Sequence, residues 1–320
     1  MTEMTLKEIA TELKKFDSAL IFSHARPDGD TLGSAMALKT ALINLGMEAD
    51  VVCASDIPEK YDIFPAFKTI KKPAEINKKY AAHVSVDISV ESMFGDSYNL
   101  YAKNANLFNI DHHVSNSRYA KYNFVRDNAA CCEIIYEFMQ CLGAEITSEI
   151  ADYLILGIIT DTGNFMHSNV TENTFFVASK LVAAGARIHD ITYRMLKDQT
   201  KVRALLFARV ISKMRFLLDD KLAIISVLAD DFEQTGAKQE LTEGFIDFPL
   251  SIRGVEVAVS IMESKNNCYK VSFRSKGKVN VNEVASVFGG GGHILASGCM
   301  ICGFYEDVKD KIIKAVSDVL

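Results

Sequence analysis

Asp111-His112-His113 sets one carboxylate and two imidazoles side by side, directly after the apolar run at 105–110. Such side chains bind divalent metals or move protons. Two further stretches end an apolar run in the same way. Residues 19–22 lead into His24-Ala25-Arg26-Pro27-Asp28-Gly29-Asp30, and residues 82–86 lead to Asp87. A further carboxylate, Asp161, follows the apolar run 148–159. Carboxylate oxygens and imidazole nitrogens without a thiolate suit Mn²⁺ or a related divalent ion such as Mg²⁺ or Co²⁺. His24 and Asp28 share one loop with Asp30 just beyond, while Asp87 has no local partner and is a natural bridging carboxylate. His24, Asp28, Asp30, Asp87, His112 and Asp161 are together enough for two ions that keep positions open for water and a phosphate oxygen.

A second candidate lies far along the chain. Gly289-Gly290-Gly291-Gly292-His293 can expose backbone N–H groups and let a ligand approach closely. Arg274-Ser275 ends a preceding strand and could clamp a phosphate. Blander readings exist for each feature. Asp-Gly is a common turn, Asp30 or Thr31 could cap a helix, Asp161 could close one, and His112-His113 could be a hydrogen-bonded couple. Together they would require several coincidences at one edge of one sheet, where ligands bind in folds of this kind. His83 lies inside a strand and reads as packing. His167 and His189 read as near-surface histidines.

The elements that must position these groups follow from periodicity. Residues 4–16, about 31–45, 128–142, 148–159 and 172–184 read as helices. Residues 19–22, 48–54, 82–86 and 105–110 read as strands. Their alternation predicts an α/β domain, a parallel sheet with helices on both faces, over 1–187. Two helices at 188–212 form a connector. Strand pairs at 213–218/222–228 and 256–263/269–274, with helices at 282–287 and 305–319, predict a smaller α+β domain over 213–320. The apolar helix at 148–159 could serve a homodimer surface as readily as a core. The lysines between 68 and 79 read as solvated surface.

With 320 residues, 49% hydrophobic and 24% charged, the chain has material for two cores. A net charge of −6 argues against binding long nucleic acid by charge alone. The seven cysteines are scattered, and the lone C-x-x-C at Cys299 and Cys302 lacks the second pair of a zinc site. The expectation is seven reduced thiols in a cytoplasmic protein. The first residues read as an amphipathic helix rather than a signal peptide. No apolar run approaches the roughly 20 residues needed to span a bilayer, so no membrane partner is expected.

His24–Asp30, Asp87, Asp111-His112-His113 and Asp161-Thr162-Gly163 resemble the four motifs of the DHH phosphoesterase superfamily. Phe273-Arg274-Ser275 and Gly289–His293 resemble its DHHA1 domain. Order and spacing are similar to the subgroup of bifunctional oligoribonucleases and pAp phosphatases, the nanoRNases. The resemblance implies two Mn²⁺, one held by His24, Asp28 and Asp87, the other by Asp30, Asp87, His112 and Asp161. It implies His113 facing the scissile phosphate, Asp111 orienting, and Arg274 with the glycine loop and His293 holding a substrate phosphate. Met166 departs from the family's usual basic residue, and Cys131-Cys132 from its usual small or hydroxyl residues. Both departures bear on preferred substrate length. The expected reaction is hydrolysis of short RNA or DNA oligonucleotides to mononucleotides, or of pAp to AMP. The alternatives are linear or cyclic dinucleotide second messengers, a pyrophosphatase, which the glycine–histidine loop disfavours, and a non-catalytic nucleotide binder, which the intact ligand set disfavours.

Overall fold

The structure, a computed structural model, describes residues 2–320. Its internal contacts divide the chain into two units, Met1–Asp198 and Gln199–Leu320. The first holds β1 (Thr2–Glu3), α1 (Leu6–Leu13), β2 (Ser18–Phe22), α2 (Gly29–Asn44), β3 (Glu48–Val52), β4 (Ala82–Val86), α3 (Tyr98–Tyr101), β5 (Leu107–Asp111), β6 (Tyr122–Val125), α4 (Cys131–Leu142), α5 (Ser148–Asp161), α6 (Glu172–Ala183) and α7 (Ile188–Leu196). The sheet runs β1-β6-β5-β4-β2-β3 with every neighbouring pair parallel.

From β2 the chain crosses to β3 on one side, then returns to β4 on the other. The order therefore reverses between β2 and β4, which opens a crevice at their carboxyl ends. His24 and Asp87 leave the sheet at that crevice.

The two faces of the sheet are covered unequally. Ala19 and Ile21 of β2 pack beneath α1, α2, α4 and α5, while Leu20 and Phe22 face a smaller cluster with Phe94 and Tyr101. That second face is covered by short 3₁₀ turns and α3. Residues 150–159 of α5 are all buried, so this helix is core and not a dimer surface. Helices α2 and α5 approach backbone to backbone. A Cβ on Gly33 would lie 2.3 Å from the Tyr153 carbonyl oxygen, and one on Gly157 would lie 2.3 Å from Cys132 Sγ. Two predictions from periodicity need correcting here. Strand β6 was not foreseen, because Tyr122–Val125 is only four residues long. The cap of α2 is Asp28 and not Asp30 or Thr31.

The second unit holds α8 (Lys201–Ser212), β7 (Arg215–Leu217), β8 (Leu222–Val227), α9 (Ala229–Thr235), α10 (Asp247–Ser251), β9 (Val257–Glu263), β10 (Cys268–Ser275), α11 (Val281–Val287), β11 (Gly291–Gly292), β12 (Ala296–Cys302) and α12 (Tyr305–Ser317). Its sheet is mixed, in the order β11-β12-β10-β9-β8-β7, with β8 and β9 parallel and the other pairs antiparallel. Both expected strand pairs form. Strand β12 was missed because its small residues (A-S-G-C-M-I-C) carry little strand signal.

The expectation of seven free thiols is overturned by β12. Antiparallel register sets Cys268 opposite Cys302, and the two form a disulfide. Cys299 stays free because residues three apart on a strand point to opposite faces.

The α2–α5 contact gives a prediction of sign. Ala normally gains about 1 kcal/mol over Gly inside a helix. Gly33→Ala should instead lose about 1–3 kcal/mol by overpacking, read from urea unfolding. A midpoint unchanged or raised would contradict the packing described.

Candidate metal centre

The loop after β2 is fastened before it does chemistry. His24 N donates to Thr31 Oγ1 at 3.2 Å, and that hydroxyl donates to the Val86 carbonyl at 3.3 Å, tying the ends of β2 and β4 together. Asp28 caps α2 through Oδ1, which accepts from the amides of Asp30 and Thr31 at 3.1 Å each. Its other oxygen lies 3.5 Å from His24 Nε2.

Asp30 is fully buried, and its two oxygens accept from the Cys131 and Cys132 amides at 2.5 and 2.8 Å. Those are free N–H groups of the first turn of α4, whose cap residue, Ala130, has no side chain to satisfy them. Cys131 and Cys132 thus bear on where Asp30 sits, and both are buried.

Asp87 leaves β4 in the left-handed region, with φ of 57°. A non-glycine residue held there signals that the surroundings fix it. Its Oδ2 lies 3.6 Å from His24 Nε2, and its Oδ1 lies 3.3 Å from His112 Nε2. Oδ1 is buried yet takes no hydrogen bond among the described residues, since the His112 ring sits off hydrogen-bonding geometry.

The Asp-His-His triplet ends β5. His112 Nδ1 faces the Asn128 carbonyl at 2.9 Å. A carbonyl only accepts, so Nδ1 carries a ring proton, and Nε2 is the atom turned toward Asp87, Asp161 at 3.6 Å and Asp30 at 3.9 Å. Asp111 is fully buried and spends both oxygens on neighbours. Oδ1 accepts from His113 Nδ1 and the His112 amide at 2.8 Å each, and Oδ2 accepts from Asn116 at 2.5 Å. Asn116 in turn donates to Asn109 Oδ1, which keeps the group anchored to the sheet. Asp161, last residue of α5, brings its carboxylate to His112.

Electrostatics shows what this arrangement lacks. Burial lowers the pKa of His24, but Asp28 and Asp87 overcome it and hold it up at about 10. Burial likewise opposes charge on His112, and Asp87 and Asp30 raise it to about 11. Burial and the neighbouring Asp87 push Asp30 up to about 7, and burial with Asp30 and Asp87 pushes Asp161 up to about 10. Asp30 and Asp161 are driven toward the protonated form because burial and neighbouring carboxylates outweigh the positive charge near them. A divalent cation would take that place. The residues fit one, because Asp87 Oδ1 is buried without a hydrogen bond and His112, held through Nδ1, turns Nε2 to the same carboxylates, where a cation would displace its proton. Ligand atoms converge within 4.8 Å in three sets, namely His24, Asp28 and Asp87; Asp30, His112 and Asp161; and Asp87, Asp111, His112 and His113.

The other histidines of the first unit are outside these ligand sets. His83 is buried, packs on Phe22 and faces the Tyr101 carbonyl, the packing role expected of it. His167 is exposed with Nδ1 3.1 Å from the Asp161 carbonyl, and His189 stacks near Tyr193. In the second unit Arg274 is half-buried, with Nη1 donating to the Phe273 carbonyl. Ser275 is buried, and its hydroxyl accepts from Gly277 N and Val279 N, closing a turn. Gly290 and Gly292 allow close backbone approach to β12, where a Cβ would meet the Gly298 and Ala296 carbonyls at 2.2 and 2.6 Å. Gly291 and His293 are exposed. Sequence reasoning missed Asn109, Asn116 and Asn128. They act through amide and backbone contacts that residue type alone does not announce.

Family comparison agrees with this geometry. Residues 18–158 match the DHH family, N-terminal domain, and residues 219–320 match the DHHA1 domain. The chain belongs to the DHH–DHHA1 phosphoesterases, hydrolases of phosphoric esters. Among its relatives is a bifunctional oligoribonuclease and PAP phosphatase NrnA of Thermus thermophilus, 30% identical over 98% of this chain and 94% of that one. The NrnA of Bacillus subtilis, with the same description, is 27% identical over 96% of each chain. The fold is shared with an exopolyphosphatase-related protein of Bacteroides fragilis, at a TM-score of 0.89 and 24% identity, covering 98% of this chain and 95% of that one. Among the described residues no helix is long and apolar enough to cross a membrane.

The Asp111–His113 contact can be measured. Asp111 raises the His113 pKa, so in chelator-treated protein the imidazole should titrate above the ordinary value near 6.5. Asp111→Asn should lower that midpoint, followed by ¹⁵N imidazole shifts against pH. An unmoved midpoint would break the assigned contact.

Proposed function

We propose that the chain is a Mn²⁺-dependent phosphoesterase that hydrolyses oligonucleotides of a few residues to mononucleotides, and pAp to AMP. The observation that carries the two-ion reading is Asp87. Its two oxygens face different histidines, as a carboxylate shared by two ions would. His24, Asp28 and Asp87 would hold one ion, and Asp30, Asp87, His112 and Asp161 the other. Ions bound there would supply a water nucleophile at neutral pH and offset charge on the phosphoryl oxygens.

The chain's own residues do the rest. Asp111 keeps the proton on His113 Nδ1, and its charge favours the imidazolium, which can donate from Nε2 to a phosphoryl oxygen. The amides of Cys131 and Cys132 hold Asp30 in one orientation, so its oxygens need not reorganise when substrate arrives. Arg274 and the loop of Gly290, Gly291, Gly292 and His293 would grip a substrate phosphate, with Ser275 shaping the turn beside Arg274. The helices at 188–212 would join the catalytic part to this substrate-holding part. The relatives' described activities support the substrate class. Such nucleotides are cytoplasmic, and we place the protein there.

The test is a Mn²⁺-dependent hydrolysis panel of pAp, pApA, cyclic di-AMP, RNA from dimers to about 10-mers, and pyrophosphate. Short RNA and pAp should be turned over fastest. Equal rates on long and short RNA would count against an end-gripping loop, and selective turnover of cyclic di-AMP would reassign the substrate. Asp87→Asn should cut hydrolysis by about 10³-fold or more, comparable to deleting a principal transition-state contact. Asn is chosen because it tolerates the left-handed backbone of Asp87. Activity retained in that variant would sink the bridging role.

A further inference from the structure

A groove of about 520 Å³ lies in the first unit, large enough for a nucleoside, and two of its lining residues touch residues of the ligand set. These contacts hold His112 and Asp161 from the side away from their ligand atoms. Asn128 lends its carbonyl to His112, and Asn169 Nδ2 donates to the Asp161 carbonyl at 3.2 Å and the Ala129 carbonyl at 3.1 Å.

The chemistry of the groove follows from which way its amides must point. Glu133 is fully buried beneath it, and Oε2 accepts from Asn128 Nδ2 at 2.7 Å and Asn173 Nδ2 at 3.0 Å. Carboxylates and backbone carbonyls only accept, so all three asparagines spend their NH₂ groups on these acceptors and keep their carbonyl oxygens for other partners. The Asn128 oxygen is taken by Arg126 Nε at 2.7 Å. Those of Asn169 and Asn173 take no hydrogen bond from the described residues. Arg126, the single cation among the lining residues, is already paired with Glu137 at 2.6 Å. A groove of spare acceptors with its one cation neutralised suits neutral hydrogen-bond donors, not a phosphate.

We infer that this groove seats the nucleoside joined to the scissile phosphate and recognises its neutral donors, the ribose hydroxyls or the exocyclic amine of the base. The inference rests on the phosphoesterase reading above and deepens it. Glu133 is the positioning residue that turns Asn173 and Asn128.

The experiment compares kcat/KM for pApA, its all-deoxy counterpart, and its inosine counterpart, with wild type, Asn169→Ala and Asn173→Leu. Asn169 is exposed, so Asn169→Ala leaves folding intact should Asn173→Leu disturb it. Wild type should favour pApA over at least one analogue by about tenfold, the worth of one hydrogen bond. Loss against the deoxy analogue assigns the ribose, and loss against inosine assigns the base amine. Each variant should shrink that preference to within about twofold, mainly through a raised KM for pApA. A wild-type preference that both variants keep, or equal rates on all three substrates, overturns the groove while leaving the phosphoesterase reading intact. No turnover of any dinucleotide or of pAp by wild type overturns both.

Discussion

The crowding of acidic oxygen around Asp87 is the constraint on which the rest of the first unit depends. Asp30, Asp87 and Asp161 meet at the end of a parallel sheet with little water to spread their charge. Left to themselves Asp30 and Asp161 are pushed toward the protonated form, and His24 and His112 toward the imidazolium. Such a cluster costs folding free energy unless cations balance it. The scaffold answers by tying each group down from behind. Thr31 joins two strand ends, the first turn of α4 grips Asp30, and Asn128 orients the His112 ring.

The same tie-downs explain why the helices pack so closely. Asp30 reaches the α4 amides only because α2, α4 and α5 meet at Gly33, Gly157 and Cys132, where no further atom fits. Site geometry and core packing are therefore one problem in this unit. A methyl group added at the helix contact is felt first by the residues that carry Asp30.

Much of this was legible in the sequence, and the reason is physical. Polar residues that end apolar runs must emerge at one sheet edge, so His24, Asp87 and Asp111-His112-His113 announced their meeting place. The switch between β2 and β4 made that edge a crevice. What stayed hidden depended on register and backbone. The Cys268–Cys302 bridge needs the β10–β12 pairing, which small residues in β12 concealed. The capping of α4 by Asp30 links residues 101 positions apart. Asn116 and Asn128 look like ordinary loop polars until their hydrogen bonds are drawn. In the second unit, the close approach of Gly290 and Gly292 to the backbone of β12 stayed hidden for the same reason.

Two ions sharing Asp87 is the central claim, and metal stoichiometry tests it apart from any substrate. Chelator-treated protein titrated with Mn²⁺ in a calorimeter should take up two ions per chain, and Asp87→Asn should bind no more than one, weakly. One ion per chain in the wild type, or two still bound tightly by the variant, would contradict the shared carboxylate.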